Sequence, residues 1–93
     1  MDFVLGTAVK INVVIDDASP TAVTITIEDP NDTAKVLDAA MTKETDKVYY
    51  YIWQSKDDDT DEAGTYEAII KVTKGTYTSV AYQTFDMIEV SDN

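Results

Sequence analysis

The sequence predicts an antiparallel β-sandwich of about seven strands, formed by one domain that spans residues 1–93. Three observations predict it. Short apolar runs alternate with period two, as half-buried strands do. Clusters of Asp, Asn, Pro and Gly punctuate those runs. The stretch Asp61-Glu62-Ala63-Gly64-Thr65-Tyr66 has the local pattern of a tyrosine corner. There a Tyr at the start of a strand bonds back to the backbone of the preceding connection and pins the corner of a sandwich.

Each element follows in order. Val9, Ile11, Val13 and Ile15 share one face of a first strand. Asp16 to Pro20 is a turn cluster. Val23, Ile25 and Ile27 face inward in the next strand, with Thr24 and Thr26 outward. Glu28 to Asp32 is a turn with Pro30 and Asn31 in suitable positions. Thr33 to Leu37 reads as a short edge strand. Ala39-Ala40-Met41 has helical propensity but is too short to stand as a helix. Lys47 to Gln54 is the strongest strand, filled with aromatic and β-branched residues. The acidic loop Lys56 to Glu62 follows, then a strand from Tyr66 to Thr73. Lys74-Gly75 is a tight turn, and Thr76 to Thr84 returns and continues through Phe85 to Val90. The apolar phase changes between Tyr82 and Phe85, which predicts a bulge or bend there.

Composition bounds the function. A chain of 93 residues can hold one modest core. It has no Cys, so disulfides, thiolate metal sites and cysteine nucleophiles are excluded. It has no His, which removes the commonest general base and the Ser-His-Asp type of site. Eighteen acidic and seven basic residues give a net charge of −11. Such a chain is repelled by phosphate backbones and anionic membrane surfaces, so neither nucleic acid nor membrane insertion is expected. The first residues carry neither a basic nor an apolar signal region, so synthesis in the cytoplasm without a signal peptide is expected.

The residues resemble the immunoglobulin-like superfamily. Trp53 lies in a strand before the Tyr66 strand, as the core Trp of that family's third strand does. Gly64-Thr65-Tyr66 stands where the corner strand would begin. Ala68 occupies the position where antibody-type domains carry their second Cys. The resemblance is therefore to the cysteine-free members. The order of short motifs along the chain is also similar to small immunoglobulin-like domains of tailed viruses of bacteria and archaea. These motifs run from Leu5-Gly6-Thr7 through Thr24-Ile25-Thr26-Ile27 and Val48-Tyr49-Tyr50-Tyr51 to Phe85. It is similar as well to modules of prokaryotic cell-surface proteins. The resemblance implies Trp53, Gly64 and Tyr66 as structural residues and carries no catalytic residue.

Three constellations could carry chemistry. Asp57, Asp59 and Asp61 stand at the first ligand spacings of a calcium loop, but Glu62 and Ala68 replace the Gly and the bidentate Glu such a loop needs. A looser calcium site could draw on Asp29, Asn31 or Asp32; the expected reading is a solvated loop and no cofactor. Paired carboxylates could serve a hydrolase, yet they need a desolvating cleft, and a thin sandwich offers little of one. An enzyme is not expected. The third constellation is apolar. Inward Trp53 places Tyr50 and Ile52 outward. Inward Tyr66 places Ile69 outward on the neighbouring strand that the resemblance implies. Tyr50, Ile52 and Ile69, extended by Val80 or Tyr82, are expected to form one outward patch of the kind protein interfaces use.

The expected role is a non-enzymatic structural or docking protein. The first expectation is a small head, neck or tail component of a tailed virion that binds neighbouring subunits through a sheet face or edge. The alternative is a surface-protein module that binds carbohydrate or a protein receptor.

Overall fold

The computed structural model describes residues 2–15, 20–56 and 61–89. Among these, all regular structure is strand. The elements are β1 (Asp2–Val4), β2 (Ala8–Val14), β3 (Ala22–Glu28), β4 (Ala34–Ala40), β5 (Thr42–Thr45), β6 (Val48–Gln54), β7 (Gly64–Lys74) and β8 (Tyr77–Ile88). They form a five-stranded sheet in the order β1-β8-β7-β3-β4 and a three-stranded sheet in the order β2-β6-β5. Every pairing is antiparallel except β1 with β8, which is parallel.

Alternation explains the layers. Val9, Ile11 and Val13 of β2 are buried while their neighbours are exposed. Val23, Ile25 and Ile27 are buried in β3, and Tyr66, Ala68 and Ile70 in β7, with half-buried residues between them. The two inner faces meet in one core that also holds Met41, Tyr49, Trp53, Phe85 and Met87. Each fully buried Ile contributes about 1.5–3 kcal/mol by leaving water.

Among the described residues there are eight strands, in line with the expected number of about seven; β1 and β5 are the two whose apolar pattern is too slight to read as strands. Several expectations need correction. The edge strand expected over Thr33 to Leu37 is longer: Ala39 and Ala40 complete β4, and the Met41 N–H donates to the Val23 carbonyl at 2.9 Å. The expected bulge in β8 is absent: its register with β7 runs unbroken from Gly64–Met87 to Lys74–Tyr77. The register shifts lie instead between β3 and β4, where Asp38 sits at φ 49°. The phase change in β8 has another cause. Val80 and Tyr82 are apolar but point outward, whereas Phe85 and Met87 point inward and are buried.

The largest correction concerns neighbours. The Trp53 strand, β6, pairs with β2 and β5, and the Tyr66 strand, β7, pairs with β3 and β8. The two aromatic residues therefore face each other across the sandwich instead of lying side by side in one sheet. Their ring centroids are 5.3 Å apart.

Candidate functional site

Tyr66 opens β7 fully buried, and its hydroxyl reaches back over one turn of chain. It donates to the Glu62 carbonyl at 2.7 Å and accepts from the Glu62 N–H at 3.1 Å. This is the corner geometry the sequence pattern predicts. Gly64 makes it possible. It sits at φ 139°, and a Cβ there would lie 2.6 Å from Cγ of Pro30. Substituted side chains would meet both the backbone strain and that ring.

Burial holds the Tyr66 hydroxyl above its ordinary value of 10.0. The backbone bond to Glu62 opposes the rise, and the charges of Asp61, Asp29 and Glu62 add to it. The sign for stability follows from linkage. Below pH 10 both states keep the proton, so the contribution is fully present. Above it the unfolded chain loses its proton first, and stability falls as pH rises through the folded value. Tyr66→Phe should cost about 1–3 kcal/mol at neutral pH, because the Glu62 backbone groups lose their partner. It should also flatten the alkaline fall. Urea titrations between neutral and strongly alkaline pH, for both proteins, measure the difference; equal slopes would remove Tyr66 as a source.

Beside the corner lies a charge cluster that the sequence pattern does not announce. Asp29 and Asp61 are both buried. Asp29 Oδ1 accepts from the N–H groups of Asn31 and Thr33, each at 2.9 Å. Asp61 Oδ2 accepts from the Lys56 N–H at 2.8 Å. Lys35 Nζ stands 3.4 Å from Asp61 Oδ1 and 4.0 Å from Asp29 Oδ2. The Asn31 amide also bonds the Glu62 carboxylate. Asp61, a candidate calcium ligand by its spacing, is thus engaged by a backbone N–H and an ammonium. Asp57 and Asp59 lie outside the described residues, and no group of three metal-ligating side chains forms among the described ones. The signal for Lys35 was faint: a lone cation in an edge strand, remote in sequence from both acids.

The four residues expected to bind a partner do not form one patch. Tyr50 and Ile52 lie on the outer face of the three-stranded sheet, and Ile69 and Tyr82 on the outer face of the five-stranded sheet. The two faces point in opposite directions. Tyr50 is half-buried, with Lys10 Nζ 4.7 Å from its ring centroid and Lys10 paired to Glu44 at 3.3 Å. Ile69 and Tyr82 are direct cross-strand partners, with Val80 opposite Lys71 in the next row. Tyr82 is 65% exposed and Val80 47%.

The strand carrying Tyr82 and Val80 is itself unusual. Residues 77–84 of β8 are exposed on both faces. Three strands cannot cover five, so among the described residues no strand covers the inner face of β8 there, and Gln83 reaches the Asn12 carbonyl at 3.0 Å. A groove of about 290 Å³ runs between this strand and the end of β2, lined by Val13, Ile15, Val72, Tyr77 and Ala81 among others. The sequence signal for the open faces of this strand is the uncharged run Gly75–Phe85, the longest in the chain.

What the geometry defines is an all-β sandwich with a tied corner and one open hairpin strand. No family model matches the chain, and no curated protein matches it.

Proposed function

We propose that this chain is a non-enzymatic docking protein with an immunoglobulin-like sandwich, a small component of a tailed virion that binds a neighbouring subunit through β8. The observation that carries the reading is β8 itself, a regular strand whose residues 77–84 are exposed on both sides. Isolated exposed apolar residues are ordinary, but a strand open on both faces, with Val80 and Tyr82 on the outer face and Tyr77 on the inner one, offers contact area on either side. The strand order supports the immunoglobulin-like part. β7 lies between β8 and β3, and β6 between β2 and β5, which is the arrangement of that fold when the corner Tyr marks its sixth strand. The non-enzymatic part is supported by the chemistry present. The buried carboxylates are tied to Lys35 and backbone N–H groups, and the groove is mostly apolar. A net charge of −11 favours a neutral or basic partner surface.

The test is sedimentation of the native protein from its source. The protein should travel with nuclease-resistant particles, and Tyr82→Ser should release it while leaving its circular dichroism unchanged. A wild-type protein left in the soluble fraction overturns the viral reading. A second reading, a surface module that binds carbohydrate, is favoured by the exposed Tyr77 and Tyr82 rings. It requires a tyrosine fluorescence change on titration with sugars.

A further inference from the structure

We propose that β8 is the pairing edge of a two-fold homodimer: residues 77–85 of two copies run antiparallel about Ala81 and join two five-stranded sheets into one. The inference rests on the docking reading in taking β8 as the contact element, and it commits that element to a second copy of this chain.

The edge is open among the described residues. β1 pairs with β8 at Asp86, Met87 and Ile88 alone, so the side of β8 away from β7 has no strand partner from Tyr77 to Phe85. The direction of its free groups is fixed by a hydrogen bond at the far end. The Leu5 N–H donates to the Ile88 carbonyl at 2.9 Å, on the β1 side. Residues alternate sides in an antiparallel ladder, and the β7–β8 register is unbroken. Thr78, Val80, Tyr82 and Thr84 therefore send their N–H and C=O groups to the open edge.

Every other edge carries a protective device. β1 is three residues long. β5 is four residues long and includes Lys43 and Glu44. β4 carries Lys35 and Asp38 and breaks register with β3 twice. β2 carries Lys10, and its Asn12 carbonyl is taken by Gln83. β8 has none of these between Tyr77 and Phe85: no charge, no Pro, no Gly and no register shift.

The occupant follows from charge and symmetry. Two copies each bearing −11 repel wherever acid meets acid. The uncharged run Gly75–Phe85 is where that repulsion is least. The open stretch is bounded by the Gly75-Thr76 turn at one end and by β1 at the other, and its midpoint is Ala81. Pairing about that midpoint sets Val80 opposite Tyr82 and Thr78 opposite Thr84, each pair occurring twice. Aromatic–β-branched and Thr–Thr pairs are those that stabilise cross-strand contacts. The edge-facing residues meet one another in this register, forming about eight new backbone hydrogen bonds. The contact is isologous and closes at two copies.

Sedimentation velocity of the purified chain should show a species of twice the 10.3 kDa chain mass at micromolar concentration. Val80→Pro removes an edge N–H that β7 does not use, so it should give monomer with unchanged circular dichroism. The chain has no Cys, and Ala81→Cys places two thiols directly opposite at the axis. Their Cα atoms would be about 4.5 Å apart, within disulfide reach. Ala81→Cys should therefore cross-link under mild oxidation, and Ile52→Cys on the other sheet should not. Should Val80→Pro unfold, Ala81→Lys and Ala81→Glu replace it: each alone should be monomeric, and an equal mixture should restore the dimer. A wild-type chain that is monomeric at every concentration overturns the proposal, as does a dimer indifferent to charge at position 81. A monomer that still sediments with particles would overturn self-pairing and leave the docking reading standing.

Discussion

Trp53→Ala should be the most damaging single truncation in this protein, at about 3–5 kcal/mol. A domain of this size holds about 5–14 kcal/mol in all, so the variant should be near the edge of folding. The reason is position. Trp53 projects from β6 across the sandwich, 5.3 Å from the Tyr66 ring and 6.2 Å from Phe85. Phe85 stacks on Tyr66 at 5.7 Å and meets Phe3 edge-on at 5.9 Å. One indole thus backs the corner residue, the inward end of β8 and, through Phe85, the short strand β1. Removing it leaves a void that three different strands would have to close. Trp53→Phe should keep most of the contact and lose less than half as much. Urea unfolding followed by peptide circular dichroism measures both variants. A loss below about 1 kcal/mol for the alanine would mean that the surrounding rings collapse into the space.

The inward faces of β2, β3 and β7 were legible because each buries one side only, and period-two alternation reports that directly. The corner at Tyr66 was legible because its hydrogen bond spans four residues. Pairing between strands was not legible. Alternation says which side of Trp53 points inward, and that side is the same whether β6 lies beside β7 or faces it. The choice depends on contacts remote in the chain, such as Val9 with Trp53 and Ile25 with Ile70. The expected patch at Tyr50, Ile52, Ile69 and Tyr82 inherited that wrong adjacency and divides between two faces. β5 had no apolar residue to announce it, since Thr42–Thr45 is held by its ladder to β6. In β8 the outward Val80 and Tyr82 broke the inward pattern, and a bulge was the wrong explanation for it. Exposed apolar residues there were the signal.

Lys35→Met should cost about 3 kcal/mol, the low end for breaking a buried ion pair, because the Lys35 side chain keeps 19% of its exposure. Methionine retains the length and apolar stem of lysine, so lost packing contributes little. What changes is charge. The side chains of Asp29 and Asp61 are each 5% exposed, and both approach the same ammonium. Without it, two desolvated carboxylates face each other, and among the described residues backbone N–H groups are what still hold them. The double variant Lys35→Met with Asp61→Asn should recover part of the loss. The amide oxygen that D61N introduces can still accept the Lys56 N–H, and Asp29 keeps its bonds from Asn31 and Thr33. A double-mutant cycle should show coupling of about 1–3 kcal/mol. Coupling near zero, with a small loss for Lys35→Met, would place these charges among ordinary surface pairs. The outcome bears on the corner as well. Asp29 shapes the turn that carries Pro30, and Pro30 packs on Gly64 two residues before Tyr66. The ion pair and the tyrosine hydroxyl therefore hold the same end of the sandwich. Asp61 and Tyr66 should couple in a further cycle, while Asp61 and Tyr82, at the hairpin strand, should add independently.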